Sequence, residues 1–174
     1  DVDDTVYVGL KSIIAANLTH MGNDFYSFPY ENELGFHDYY DEEGRSLRKT
    51  FLRAPLNFTR ISSRYSGRRF HPVQNRWKAH LGTDYAAPTG TPIMSTADGV
   101  VIAAQYTSAN GNYVKVRHNS TYTTQYLHMS KIKPGIKNGE KVKQGDVIGY
   151  VGSTGLATGP HVCYRFWVNG KQVD

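Results

Sequence analysis

The sequence predicts an all-β protein, with a short N-terminal β unit followed by a small, open sandwich of antiparallel strands around a groove. Its thirteen tyrosines and seventeen glycines favour strands and tight turns. Short segments in which apolar and polar residues alternate recur along the chain. Asn-Gly and Asp-Gly pairs, which are typical of hairpin turns, separate many of these segments.

The N-terminal part combines predicted strands with one possible helix. The predicted strands are 11–19, 24–30 and 36–40. Residues 41–54 predict a short helix, with Ser46 as its N-cap and Pro55 as its end.

The rest of the chain predicts short strands at regular spacing, the pattern of an all-β domain. These strands are 100–106, 112–118, 122–128, 147–151 and 161–168. A domain boundary near residues 50–57 is expected, which divides the chain into an N-terminal β unit (1–57) and a β domain (58–174).

Composition narrows the class of protein. With 174 residues and 39% hydrophobic residues, the chain is long enough to bury one sizeable core. No apolar run approaches the roughly 20 residues of a membrane helix, so the chain is expected to be soluble and without a membrane span. It begins without Met or a signal-peptide pattern, as expected of a processed piece. A single cysteine excludes an internal disulfide.

Charge is distributed unevenly along the chain, which has a net charge of +5. Residues 1–44 contain ten acids and one base, whereas residues 45–80 contain ten bases and no acid. The basic segment fits a solvated or self-paired surface, or contact with an anionic cell-wall polymer. A nucleic-acid partner is not expected, because no zinc-finger, helix-turn-helix or RNP-like pattern is present.

Three short clusters contain side chains of the kinds that bind zinc. They are His80-x-x-x-Asp84, Tyr126-Leu127-His128 and His161-Val162-Cys163. Period two on a strand places His161 and Cys163 on one face, and predicts the same for Tyr126 and His128. The glycine at position 82 favours a turn or irregular strand, rather than a helix, between His80 and Asp84.

These clusters offer the parts of a catalytic zinc site, which needs three protein ligands and an open position. His80, Asp84 and Cys163 are the candidate ligands, and His128 and His161 are imidazoles that can move protons. Any single histidine is more often structural, and a lone cysteine is usually a small buried hydrophobe. His20, His37 and His71 are interpreted as structural or surface residues, and His118 is left undecided.

From about Phe58 onward the chain resembles the lysostaphin-type (LytM-domain) zinc endopeptidases, which cut peptide cross-links in peptidoglycan. The three clusters carry the resemblance, in the contexts Tyr126-Leu127-His128-Met129-Ser130 and Gly159-Pro160-His161-Val162-Cys163. Supporting phrases are Ala97-Asp98-Gly99-Val100-Val101, Gly111-Asn112-Tyr113-Val114 and Val142-Lys143-Gln144-Gly145-Asp146-Val147-Ile148-Gly149.

The resemblance implies a LytM-like, duplicated-hybrid-motif-like fold, and a role for each site residue. Zinc would be bound by His80, Asp84 and Cys163, and His128 and His161 would be the catalytic histidines. Cys163 stands where the family has a histidine. A thiolate binds zinc well, but its negative charge is expected to make the zinc a weaker Lewis acid.

Upstream phrases resemble the envelope endopeptidases of cell elongation and cell shape. They are the run 39–49 and Ile61-Ser62-Ser63-Arg64-Tyr65-Ser66-Gly67-Arg68-Arg69-Phe70-His71-Pro72. The resemblance implies a D,D-endopeptidase acting on 4-3 cross-links, with peptidoglycan stem peptides as its partner and the periplasmic side of the cell envelope as its place. The N-terminal module that can cover the groove in those proteins does not fit in 57 residues, so an uncovered catalytic unit is expected.

Two other classes of protein remain as alternatives. A non-catalytic LytM domain would bind peptidoglycan or activate an amidase, and the metal content of the purified protein distinguishes it. A lipoyl- or biotin-like carrier would resemble the Val142–Gly149 phrase. It would need a modifiable lysine at an exposed hairpin tip, and none stands out.

Overall fold

The all-β prediction is confirmed in the computed structural model, which describes residues 14–20, 22–31, 35–44, 51–57, 60–71 and 75–174. These residues form antiparallel sheets and contain no helix, and therefore none long and apolar enough to cross a membrane. The chain divides into two compact units, Asp1–Thr50 and Phe51–Asp174.

The first unit contains a three-stranded antiparallel sheet in the order β1-β2-β3. Its strands are β1 (Ala16–His20), β2 (Asn23–Glu31) and β3 (His37–Tyr40). The predicted strands 24–30 and 36–40 correspond to β2 and β3. The predicted strand 11–19 overlaps β1 only from Ala16, because positions 14–15 are bend or irregular chain and positions 11–13 lie outside the described residues. Of the predicted helix, positions 41–44 and 51–54 are turn or irregular chain, and positions 45–50 with Ser46 lie outside the described residues.

The second unit contains the remaining described strands. They are β4 (Arg60–Ser63), β5 (Ser66–His71), β6 (Arg76–His80), β7 (Thr83–Ala86), β8 (Pro92–Met94), β9 (Gly99–Thr107), β10 (Gly111–Arg117), β11 (Tyr122–Met129), β12 (Lys131–Ile132), β13 (Lys141–Val142), β14 (Val147–Tyr150), β15 (His161–Val168) and β16 (Lys171–Val173). The five strands predicted here correspond to β9, β10, β11, β14 and β15.

The main sheet of this unit has the order β13-β9-β10-β11-β15-β7-β4, and β16 pairs with the C-terminal part of β15. A three-stranded sheet in the order β12-β14-β8 and the β5–β6 hairpin complete it. In the main sheet, β15 lies between β11 and β7. Residues that are far apart in sequence therefore become neighbours across three adjacent strands.

The core of the unit lies on one face of the main sheet. It is built from buried side chains that include Ile93, Val101, Val114, Val116, Tyr126, Met129, Ile148, Val151 and Val162. The hydroxyl of Tyr126 accepts a hydrogen bond from the backbone N–H of Thr96 (2.9 Å) and lies 2.9 Å from Oγ1 of Thr124. These hydrogen bonds offset the cost of burying the hydroxyl group, so Tyr126 is stable with its side chain in the core. The opposite face of β11 and β15 is therefore left for the site.

Candidate metal centre and groove

Three of the predicted site residues form a tight cluster on that opposite face. One ligand atom from each of His80, Asp84 and Cys163 lies within 4.8 Å of the others. Nε2 of His80 is 2.9 Å from Oδ1 of Asp84 and 3.5 Å from the sulfur of Cys163. All three residues are buried, with exposed fractions of 8%, 6% and 2%.

Strand register accounts for this cluster. Cys163 on β15 pairs directly with Asp84 on β7, and side chains at directly opposed positions lie on the same face. His80 ends β6, and a two-residue bend leads from it to β7, as the glycine at position 82 predicted. A Cβ atom at Gly82 would lie 2.8 Å from the backbone oxygen of Tyr164, a distance that real Cβ atoms do not tolerate. Glycine is therefore required where the bend passes β15.

The outer hydrogen bonds of the cluster orient its side chains. Nδ1 of His80 lies 3.1 Å from the carbonyl oxygen of Arg64, so this nitrogen carries the proton. The other oxygen of Asp84, Oδ2, accepts from the guanidinium of Arg69 at 3.4 Å. Arg69 also donates to Ser63. Outer contacts of this kind hold the ligands of metal sites in place.

The donor set fits a cation such as zinc. Because Nδ1 of His80 faces the carbonyl oxygen of Arg64, Nε2 is the ring nitrogen directed toward the carboxylate oxygen of Asp84 and the sulfur of Cys163. A cation placed among these three atoms could contact all of them, since they lie within 4.8 Å of one another. Imidazole, carboxylate and thiolate are all zinc ligands.

The ionisation of the cluster differs from one member to the next. Burial raises the pKa of Asp84, but the hydrogen bond and charge of His80 more than offset it, so the pKa lies below its usual value. Burial, together with the Asp84 charge, raises the pKa of the Cys163 thiol to about 12, although the Arg165 guanidinium opposes this. Before any metal binds, the carboxyl is ionised and the thiol is protonated at neutral pH.

The two predicted catalytic histidines lie side by side at the edge of the cluster. Their ring centroids are 4.8 Å apart, and Nε2 of His161 is 3.8 Å from Oδ1 of Asp84. Nδ1 of His128 donates to the carbonyl of Thr154 (2.8 Å), and Nδ1 of His161 donates to that of Gly159 (2.8 Å). In each ring Nε2 is therefore the nitrogen left to accept a proton. Burial lowers the pKa of His128 to about 4, which keeps its ring neutral at neutral pH.

The orientation of His128 differs from the prediction. Tyr126 and His128 were predicted to share a face, but Tyr126 lies in the core and His128 lines the groove. The register between β10 and β11 shifts between the pairs Asn112–Met129 and Val114–Tyr126, and His128 has a φ of 65°. This β-bulge turns His128 to the other face, so simple alternation gave the wrong result.

A groove of about 370 Å³ opens over the cluster. It is lined by all five predicted site residues together with Arg69, Lys78 and Arg165, among others. These three basic side chains outnumber the one carboxylate, that of Asp84, so the groove favours an anionic ligand. Arg69 and Lys78 belong to the basic segment 45–80, whereas Arg165 was not among the residues predicted from sequence. The position of Arg165 was readable, because it is two residues beyond Cys163 and shares its face.

Of the remaining histidines, His37 and His118 have described side chains. His118 is buried, with Nδ1 2.7 Å from the carbonyl oxygen of Asp98 and Nε2 2.7 Å from Oγ1 of Thr124. It is a fully paired structural residue, which decides the role that the sequence left open. His37 is exposed and lies 3.2 Å from Glu31. The side chains of His20 and His71 lie outside the described part of the chain.

Comparison with known proteins is consistent with this geometry. Residues 78–174, which contain the whole cluster and both histidines, match Peptidase family M23. The chain belongs to this peptidase family. The resemblance predicted from the motifs is thereby confirmed.

Among curated relatives, the peptidoglycan DD-endopeptidase ShyC of Vibrio cholerae is 49% identical over 163 residues, which cover 94% of this chain and 36% of ShyC. ShyA, a peptidoglycan DD-endopeptidase of the same organism, is 41% identical over 95% of this chain and 37% of its own length. The chain thus spans a little over a third of the length of these relatives.

Solved structures share the fold. A zinc-containing peptidase from Vibrio cholerae superposes with a TM-score of 0.69 at 39% identity, over 94% of this chain and 49% of that one. The catalytic domain of lysostaphin from Staphylococcus simulans gives 0.59 at 27% identity, over 67% and 88% of the two chains. The LytM-like fold class predicted from sequence is confirmed by this likeness.

Proposed function

We propose that this chain is a zinc-dependent peptidoglycan endopeptidase that hydrolyses peptide cross-links of the cell wall, as a D,D-endopeptidase acting on 4-3 cross-links. The observation that carries the proposal is the cluster of His80, Asp84 and Cys163 at the floor of a groove, with His128 and His161 beside it. The names of the relatives ShyC and ShyA support the substrate class.

In this proposal His80, Asp84 and Cys163 hold zinc. When bound, zinc supplies Lewis-acid polarisation of the scissile carbonyl and lowers the pKa of a water molecule. The negative charge of a Cys163 thiolate offsets part of the charge of the ion, so we expect slower turnover than a third imidazole would give.

The two histidines would move the protons of hydrolysis. His128 is neutral at neutral pH and has Nε2 free, so it can accept a proton from the attacking water. His161, 4.8 Å away between ring centroids, can donate a proton to the leaving amine and hydrogen-bond the developing oxyanion. Asp84 stays ionised and keeps His161 close through the 3.8 Å contact.

We also propose a domain organisation and a cellular location for the chain. Residues 58–174 would form the peptidase domain and residues 1–57 an accessory β unit. The envelope, on its periplasmic side, is where a peptidoglycan hydrolase meets its substrate. The basic groove suits the carboxylates of the wall peptides.

Digestion of purified sacculi tests the proposal. The protein is incubated with sacculi with and without a chelator, beside Asp84→Ala, and the released muropeptides are identified by mass spectrometry. We expect monomers from 4-3 cross-linked dimers, only with metal and only from the wild type. Release of no peptide by the zinc-loaded wild type would reject it.

The second candidate function is a non-catalytic LytM domain that binds peptidoglycan. The raised pKa of Cys163 favours it, because a thiol that keeps its proton is a poor metal ligand. Stoichiometric zinc in the purified protein, together with cleavage, would exclude this function. A protein that binds sacculi without zinc and without cleavage would support it.

A further inference from the structure

Arg165 continues the row of groove-facing side chains on β15. His161, Cys163 and Arg165 are separated by steps of two residues, and all three line the groove. A strand rises about 3.3 Å per residue, so Arg165 lies about 7 Å along the strand from Cys163, on the side away from His161. A substrate bound across the cluster would therefore have a cation at the Arg165 end.

The stem of Arg165 is held in place by packing. A Cβ atom at Gly82 would lie 2.9 Å from Cγ of Arg165 and 3.2 Å from the sulfur of Cys163. Both side chains therefore pack closely against the backbone of Gly82. A fixed stem limits the positions of the guanidinium and reduces the entropy lost when it binds a ligand.

The guanidinium of Arg165 interacts with the side chain of Cys163 but has no carboxylate partner among the described residues, and its Nε is buried without a hydrogen-bond partner there. Arg69, the other arginine of the groove, is already bound to Asp84 and Ser63. Burial is the main cause of the lowered pKa of His128, and the charge of Arg165 makes a small contribution in the same direction. Arg165 is thus the groove arginine left to bind an anionic ligand.

Resting on the proposed function, we propose that Arg165 binds the carboxylate next to the scissile nitrogen of the cross-link. In a D,D cross-link of the 4-3 kind, the carbon that bears this nitrogen also bears a free carboxylate, which requires a diamino diacid at position three of the stem. A guanidinium binds a carboxylate through two parallel hydrogen bonds. Arg165 thereby selects cross-links of this class over those through lysine or an amidated diamino acid.

Two synthetic cross-linked peptides test this inference. They are identical except that the carboxylate next to the scissile nitrogen is free in one and a carboxamide in the other. We expect the wild type to prefer the free carboxylate by about 10–100-fold in kcat/KM, the usual range for a hydrogen bond to a charged group. Arg165→Gln should lose the preference by slowing only the carboxylate substrate. Arg165→Lys should keep a reduced preference, because lysine has the positive charge but cannot donate two parallel hydrogen bonds to a carboxylate.

Arg117→Gln is the matched control, since Arg117 is exposed at the end of β10 and does not line the groove. It should keep the full preference. The zinc content of each variant is also measured, to show whether the substitution has disturbed the metal site. If Arg165→Gln slows both substrates equally and lowers zinc affinity, Arg165 serves as a counter-charge to Cys163 and the inference is wrong. Equal rates on both substrates in the wild type also overturn it.

Binding separates this inference from the proposed function. In the His161→Ala background, titration with the two peptides gives dissociation constants without turnover. A preference for the carboxylate peptide that Arg165→Gln abolishes supports the inference, even if the wild type cleaves neither peptide and the proposed function fails. Equal affinity for both peptides in that background overturns the inference, even if the wild type cleaves both.

Discussion

The sulfur of Cys163 lies 3.5 Å from Nε2 of His80, although 83 residues separate the two in the chain. The pairing of β15 with β7, followed by the bend at Gly82, produces this contact. The thiol of Cys163 must lose a proton before it can bind a metal ion at neutral pH, because its pKa is about 12. Metal binding and proton release are therefore coupled at this position.

The first prediction measures that coupling. Zinc binding near pH 8 should release about one proton per ion from the wild type, because the protonated thiol binds as a thiolate. Cys163→His should release close to none, since a neutral imidazole binds without losing a proton. Calorimetric titration in buffers of different ionisation enthalpy gives the number of protons. Equal release by both proteins would show that Cys163 is not a ligand.

The second prediction concerns metal content. Asp84→Ala should lose zinc, because it removes the carboxylate whose oxygen lies 2.9 Å from Nε2 of His80 and leaves two donors. Asp146→Asn is the control, since Asp146 is an exposed residue in a turn and accepts from the backbone N–H of Lys143. Elemental analysis of the three proteins checks this. The ligand assignment fails if Asp84→Ala holds as much zinc as the wild type.

The third prediction separates turnover from metal binding. His128→Ala and His161→Ala should each lose about 10²–10⁴-fold in kcat, the usual contribution of a general acid or base, and both should keep their zinc. The measurements are single-turnover rates on cross-linked muropeptides and zinc content. His161 is the sharper case, because its Nε2 is 3.8 Å from Asp84. Loss of zinc from His161→Ala would mean that it, rather than Cys163, is the third ligand.

The fourth prediction concerns stability and pH in the metal-free protein. Burial lowers the pKa of His128 from 6.5 to about 4 and also lowers that of His118. Their neutral rings stabilise the fold fully above pH 6.5, and the unfolded state gains protons first as the pH falls. His128 alone should remove about 2 kcal/mol from the free energy of unfolding between pH 7.5 and pH 5. The lowered pKa of Asp84 acts in the same direction, but only below about pH 4.

Urea denaturation at several pH values checks this dependence. His128→Gln should flatten the pH profile, and the slope that remains should come largely from His118. His37→Gln is the control, since it replaces an exposed histidine of the first unit. A profile that is equally steep in His128→Gln and the wild type would contradict the assignment.

Much of the fold was readable from sequence because local patterns determine it. Period-two alternation located β9, β10, β11 and β15, and the glycine at position 82 correctly excluded a helix between His80 and Asp84. Strands as short as β8, β12 and β13 contain two or three residues, too few to display a period. Their pairing depends on partners elsewhere in the chain, so they were not predicted.

The site was readable to the extent that its residues follow strand periodicity. His161 and Cys163 lie on one face as predicted, and the same rule extends to Arg165. His128 broke the rule, because a bulge is set by how two strands pair rather than by either sequence alone. The roles of ligand and catalyst stay predictions, since distances among donor atoms do not distinguish them.

The backbone conformation at His128 is unfavourable for stability, whereas the proposed chemistry needs a histidine at this position. A φ of 65° in a residue other than glycine costs on the order of 1 kcal/mol. A directed-evolution library sorted for thermal resistance alone should therefore enrich glycine or asparagine at position 128, and sequencing of the sorted pool would reveal it. Each such variant would gain an unstrained backbone and lose the imidazole, so selection for stability alone would remove the proposed proton acceptor.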